Sequence, residues 1–204
     1  MNLYYCKIDE LRDLAGVHLL PEERRRKMER YRREDDKARC LIAGLLLRMV
    51  FGEESFRIKN TEKGKLYLPN GLRFNLSHSG DYVILGVSDH ELGVDIEKVK
   101  KVNDLMVHRS FTEEECQWLY EQCDSEAFYQ LWTAKESIMK ATGLGFSLPI
   151  QSFSVLPVRD GMHRICERDW CLNWRGLPGY VICTACAAKE EITMMETKRE
   201  QLLK

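Results

Sequence analysis

Charge of one sign is missing from this 204-residue sequence: 31 Lys and Arg against 32 Asp and Glu leave a formal net charge of −1. That balance excludes a uniformly basic nucleic-acid coat and an acidic disordered tail. With 13 glycines and 5 prolines the chain has too few for collagen or a low-complexity segment, and 44% hydrophobic against 31% charged residues describes a chain that can bury a core. No apolar run is long: Leu41 to Leu47, interrupted by Gly44, falls far short of the ~20 residues that cross a bilayer, so no membrane partner is expected. The segment MNLYYCKIDELRDLAG has neither the basic nor the apolar region of an export signal, and a cytoplasmic location is expected. Eight cysteines then belong to a reducing compartment, without disulfides. Cys183 and Cys186 have CxxC spacing, with Cys166 and Cys171 upstream, as in some zinc sites. Tyr180 to Ala187 reads as a buried strand, however, on which residues three apart face opposite ways, so no metal is expected there.

The length allows one large domain or two of about 100 residues. After a strand at Leu3 to Ile8, Leu20-Pro21-Glu22-Glu23 has the proline and acids of a helix start. Tyr31, Ala38, Leu41, Ile42, Leu45, Leu46 and Met49 recur at helical spacing, predicting one helix that ends near Gly52. At roughly 30 residues it would be ~45 Å long. Short strands follow at Phe56–Ile58, Lys65–Leu68, Phe74–Leu76, Tyr82–Val87 and Gly93–Ile96, split by turns. Helices at Phe111–Tyr120 and Ser125–Thr142, the latter closed by Gly143, lead to strands at Phe153–Leu156, Trp170–Trp174 and Tyr180–Ala187. The polar tail from Glu190 to Lys204 is expected to fray. The order strand, helix, strands thus occurs twice, without a residue-level repeat.

Four constellations carry chemistry. In Gly93-Val94-Asp95-Ile96-Glu97 the two acids share one strand face, their α-carbons ~7 Å apart, which suits a hard cation such as Mg²⁺; acids on a solvated strand face are the plainer alternative. On the helix from Phe128, Lys135 falls in the middle of the apolar stripe, where an unpaired ammonium is costly, while Glu136 and Lys140 flank it as neighbours four apart. Three charges at one edge of a stripe resemble the wall of a phosphate and metal pocket, although a surface Glu–Lys pair beside a snorkelling lysine has the same pattern. Arg73-Phe-Asn-Leu-Ser-His-Ser-Gly80 runs into a turn whose hydroxyls and amides, at Ser77 and His78, can hold phosphate oxygens or be a plain turn. Residues 24 to 33 hold seven bases and one acid, a solvated face or a seat for a polyanion.

Together the strings FNLSHSG (74–80), GVDIE (93–97), FTEEE (111–115) and WTAKESIMKATGLG (132–145) resemble the 4′-phosphopantetheinyl transferases of the surfactin-synthetase-activating type, from PEERRRKMERY to SLPIQSFSV. The resemblance implies an α+β pseudo-dimer of two similar halves, each a long helix on a small antiparallel sheet, spanning residues 1–91 and 92–204 with coenzyme A between them. It implies that Asp95, Glu97 and Glu136 ligate Mg²⁺, or Mn²⁺ in its place, and that Lys135 and Lys140 neutralise phosphate charge. It further implies that Ser77 and His78 touch the nucleotide's phosphates and that Lys65 lies on the adenine side, in a turn where Leu66 replaces the family's proline. Arg26 and Arg39 are the implied 3′-phosphate contacts. The expected reaction moves the 4′-phosphopantetheine arm to a serine of an apo acyl carrier protein or peptidyl carrier domain, releasing 3′,5′-ADP. Glu136 is the expected general base, supported by Glu115, and Lys140 its catalytic neighbour. A monomer serving fatty-acid, polyketide or nonribosomal-peptide synthesis, without nucleic acid, is implied. The competing readings are a nucleic-acid-binding module that uses the arginine-rich helix, and a Mg²⁺-dependent phosphodiesterase that removes the arm.

Overall fold

A computed structural model describes residues 1–69, 71–122 and 124–204. Two sheets, each covered by one 18-residue helix, form the body. The first sheet has the order β10-β1-β5-β4. In it β1 (Asn2–Lys7) and β4 (Arg73–Ser79) both pair antiparallel with β5 (Tyr82–Ser88), while β10 (Thr193–Glu196) lies parallel to β1. The second sheet, β6-β9-β8-β7, is antiparallel throughout: β6 (Leu92–Lys98), β7 (Gly161–Ile165), β8 (Arg168–Leu177) and β9 (Tyr180–Cys186). A two-residue hairpin of β2 (Lys59–Asn60) and β3 (Leu66–Tyr67) stands apart from both sheets.

The apolar stripes place the helices. Ala38, Leu41, Ile42, Leu45 and Leu46 of α2 (Glu34–Phe51) are wholly buried against the first sheet, and Leu131, Ala134 and Ile138 of α5 (Ser125–Thr142) against the second. Asp124 caps α5 by accepting the Glu126 amide, and Gly143, left-handed at φ 69°, closes it. Every residue of β5 and β9 is buried, because the sheets also face each other across Leu3, Ile84, Val94, Ile96 and Ile182. The result is the expected mixed fold of two helix-on-sheet halves.

Several elements differ from their sequence-based expectation. The single long helix is two: α1 (Glu22–Glu29) and α2, packed on each other, with the break at residues 30–33. Glu34, Asp35 and Asp36 begin a new first turn, where acids favour a helix start over a continuation. Phe56–Ile58 falls largely in a 3-10 turn (Gly52–Arg57), and Phe153–Leu156 lies outside any strand. The segment Lys98–Arg109, to which the sequence assigns no element, contains most of α3 (Asp104–Ser110), capped by Asn103; α4 (Glu113–Gln122) follows. The tail is ordered: β10 extends the first sheet and α6 (Arg199–Leu202) buries Leu202 in the first core. Cys183 and Cys186 are both buried on β9, and the described cysteines are free thiols. Among the described residues no helix is long and apolar enough to cross a membrane.

Candidate active site at the seam between the sheets

The sheets meet where β4 runs beside β6 in the same direction, and side chains replace the missing backbone ladder. Asn75 Oδ1 accepts the Val94 amide at 3.0 Å, Ser77 Oγ the Ile96 amide at 3.3 Å, and Ser79 Oγ the Lys98 amide at 3.1 Å. Because strand side chains alternate, Asp95 and Glu97 share the face on which Ser77 and Ser79 stand. Ser77 donates to Asp95 Oδ1 at 2.8 Å and Ser79 to Glu97 Oε2 at 2.6 Å.

The close approach of α5 to this strand depends on Gly93. A side chain there would meet the backbone of Ser137 and Ala141, so the helix packs directly on β6. That proximity delivers Lys140, whose Nζ donates to Asp95 Oδ1 at 2.6 Å, Ser77 Oγ at 3.0 Å and the Val94 carbonyl at 3.2 Å. Asp95 is almost completely buried, and its second oxygen, Oδ2, is buried with no hydrogen-bond partner. Glu136, one helical turn before Lys140, is half-buried nearby. Burial first, and then the negative charge of Asp95 and Glu97, push its carboxyl above the ordinary range, opposed by Lys140. Glu97 is likewise raised by burial and by Asp95, against the lowering effect of the Ser79 hydrogen bond.

Asp95 raises the pKa values of Glu97 and Glu136 and Lys140 opposes that rise, while one oxygen of Asp95 stays orphaned; the donor atoms of all three are oxygens, the type a hard cation takes. Among the described residues no three His, Cys, Asp or Glu side chains are already gathered as a metal-binding group. Lys140 is instead the cation against Asp95 in this arrangement.

The other expected contacts divide. His78, also on β4, alternates with Ser77 and Ser79 and is exposed on the other strand face; its pKa is lowered by partial burial of the ring and then by the charges of Arg39 and Lys140. Arg39 is half-buried on α2 and donates to the Gly80 carbonyl through Nε (2.9 Å) and Nη2 (2.6 Å), and to Asp36. Lys65 turns its Nζ to the Ala141 carbonyl (2.6 Å) and Glu91 (3.1 Å), between a cavity of about 250 Å³ that Lys140 also lines and one of about 860 Å³ lined by Arg73 and Arg168. Arg26 is exposed on α1 and paired with Glu22.

Lys135 corrects the sequence reading. Its ammonium is fully buried and donates to Glu115 (2.7 Å) and to the Ile150 (2.8 Å) and Phe153 (2.5 Å) carbonyls, so it points into the second core and away from the phosphate side. The apolar stripe was the correct guide; a charge in mid-stripe needs a buried partner, and Glu115 is that partner. Glu115 accordingly belongs to this core pair and to a capping box at the start of α4, where it accepts the Thr112 amide (3.0 Å) and Thr112 Oγ1 accepts the Glu115 amide (3.2 Å). The T-x-x-E signal of that box is present in FTEEE. Sequence reasoning missed Asn75 and Ser79; the alternation Asn-x-Ser-x-Ser on β4 is their only local trace.

Two family models match the chain: the 4′-phosphopantetheinyl transferase superfamily over residues 91–185, and the N-terminal part of a 4′-phosphopantetheinyl transferase over residues 12–90. The chain is 34% identical over 199 residues to the 4′-phosphopantetheinyl transferase Sfp of Bacillus subtilis strain 168, with 88% of each chain covered. To the 4′-phosphopantetheinyl transferase ffp of Bacillus subtilis it is 34% identical over 196 residues, covering 85% of this chain and 86% of the relative. To the 4′-phosphopantetheinyl transferase gsp of Aneurinibacillus migulanus it is 32% identical over 141 residues, 65% of this chain and 60% of the relative.

Proposed function

This chain belongs to the 4′-phosphopantetheinyl transferase superfamily, and we propose that the cluster at the seam is where it moves the phosphopantetheine arm of coenzyme A onto a carrier protein. The observation that carries the assignment is Asp95, buried with one oxygen on Lys140 and the other unpaired, between two carboxylates whose pKa values are raised. Asp95, Glu97 and Glu136 would hold Mg²⁺, or Mn²⁺ in its place; bound there it would supply positive charge for the pyrophosphate.

The chain's own groups supply the remainder. The carrier serine oxygen forms a bond to the β-phosphorus, the bond from that phosphorus to the bridging oxygen breaks, and 3′,5′-ADP leaves. Glu136 takes the serine proton, directly or through water; its raised pKa suits a base better than an ordinary carboxylate does. Lys140 lies within reach of both the carboxylates and the cleft and neutralises phosphate charge. Ser77 stands against Asp95, and His78 and Arg39, whose charge acts on the His78 ring, would add further phosphate contacts. Lys65 serves from the cavity side, and Arg26 from the exposed α1. Lys135 leaves the set.

For the carrier, α3 offers exposed Leu105 and Met106 beside Lys100, Lys101 and Arg109, an apolar patch with a basic rim suited to an acidic helix. The enzyme acts as a cytoplasmic monomer in fatty-acid, polyketide or nonribosomal-peptide synthesis, and its two halves share one site; the expected division into 1–91 and 92–204 shifts at the end of the chain, where β10 and α6 join the first half. Neither the nucleic-acid nor the phosphodiesterase alternative finds support in the family matches. The test is incubation with coenzyme A, Mg²⁺ and an apo-carrier, scored by intact mass. A gain of one phosphopantetheine is expected, and no gain by any apo-carrier would overturn the reading. Glu136→Gln should bind coenzyme A and transfer little; near-normal transfer would remove Glu136 as the base.

A further inference from the structure

The seam repeats one unit. An amide of β6 fixes a hydroxyl oxygen on β4, and that hydroxyl donates its single proton to the carboxylate one residue earlier on β6: Ile96 amide, Ser77, Asp95, then Lys98 amide, Ser79, Glu97. Asn75 occupies the equivalent place opposite Val94, but its counterpart one residue earlier is Gly93, so it has the seam bond and no carboxylate. Ser77 is already entangled with Lys140. Ser79 touches the cluster through Glu97 alone among its side-chain bonds.

We propose that Ser79 is a positioning residue for Glu97: its hydroxyl, aimed by the Lys98 amide, holds Oε2 at 2.6 Å and thereby fixes which way the carboxylate presents its other oxygen to a divalent cation. A glutamate has three rotatable bonds, and an unrestrained carboxylate must lose that freedom each time it ligates. A short charge-assisted hydrogen bond from a strand-anchored hydroxyl removes it beforehand. The strand repeat then has a purpose beyond joining the halves, because the register that aligns β4 with β6 also sets the direction of two carboxylates. The inference rests on the assignment of Glu97 to a cation site.

The experiment titrates Mg²⁺ into the full-length protein with coenzyme A present, by calorimetry, for wild type, Ser79→Ala, Ser79→Thr and Asn75→Ala, with a thermal melt of each metal-free protein. Ser79→Ala should weaken Mg²⁺ binding by about ten- to a hundredfold, the usual cost of removing a partner behind a metal ligand. Its KM for Mg²⁺ should rise more than its kcat falls. Ser79→Thr keeps the hydroxyl and should bind Mg²⁺ like wild type, while Asn75→Ala should lower the melting temperature and keep wild-type Mg²⁺ affinity. If Ser79→Ala does not fold, Ser79→Cys, a poor donor of similar shape, is measured in its place with the same expectation. Wild-type Mg²⁺ affinity in Ser79→Ala or its cysteine substitute, or an equal loss in Asn75→Ala, would overturn the proposal. A wild-type protein that neither binds Mg²⁺ nor transfers would strike the proposed function instead.

Discussion

Gly93 on β6 lies so close beneath Ser137 on α5 that a methyl group on its α-carbon would overlap the Ser137 carbonyl oxygen and stand 2.5 Å from the Ala141 amide nitrogen. Both obstacles are backbone, so neither can rotate away. Gly93→Ala must push α5 off the strand that carries Asp95, and with it Glu136 and Lys140. A destabilisation of about 1–3 kcal/mol is expected in urea unfolding, the range for overpacked sites. Transfer activity should fall by far more than the folded fraction, since an error of about 1 Å in placing catalytic groups costs roughly a hundredfold. Activity in proportion to the folded fraction would show that α5 tolerates the shift.

Lys135 and Glu115 are both fully buried, and the lysine's three protons all have acceptors. Lys135→Met leaves the Glu115 charge stranded in the core, which costs about 3–5 kcal/mol. Denaturant melts should register that loss. The decisive comparison is the KM for coenzyme A in the fraction that folds: it should stay near wild type, whereas Lys140→Met should raise it strongly. A large rise for Lys135→Met would return that lysine to the phosphate side.

Much of this site is local in sequence, and that part was legible. The GVDIE strand and the 125–142 helix follow from alternation, caps and the 3.6-residue stripe, and they put Asp95, Glu97, Glu136 and Lys140 within two elements that pack together. The errors are where distant segments decide. The direction of Lys135 depends on Glu115, twenty positions earlier, and on carbonyls of the loop after α5. Ser79 acquires its role only from the register of β4 against β6, which no local pattern encodes. The break between α1 and α2 was written in Glu34-Asp35-Asp36, but the longer apolar stripe masked it.

His78 gives a pH-dependent signature. Burial, Arg39 and Lys140 lower its pKa below the ordinary 6.5, so the neutral imidazole is favoured in the folded chain. A depressed pKa contributes stability that is present above the unfolded value and lost as pH falls through the folded one. Stability should therefore decline as pH drops below 6.5, and His78→Gln should flatten that part of the profile. In an NMR titration the His78 ring should have a midpoint below 6.5 that rises in Arg39→Ala. A midpoint at or above 6.5 would remove the cationic neighbours from its surroundings.

Leu202 tests the end of the chain. It is 1% exposed in α6, packed with the α2 core of the first half, although the residues around it are polar enough to have been expected to fray. The preceding β10 pairs in parallel with β1 from Asn2↔Thr193 to Tyr5↔Glu196, so the C-terminal segment is tied to the first sheet by both a ladder and an apolar anchor. A large-to-small change at a wholly buried leucine costs about 2–5 kcal/mol, transfer and cavity terms together. Leu202→Ala should lose that much in denaturant unfolding, and hydrogen exchange should rise at the β1 amides facing β10. A change below about 0.5 kcal/mol, the level of an ordinary surface substitution, would mean that the tail is as loosely held as its composition implies.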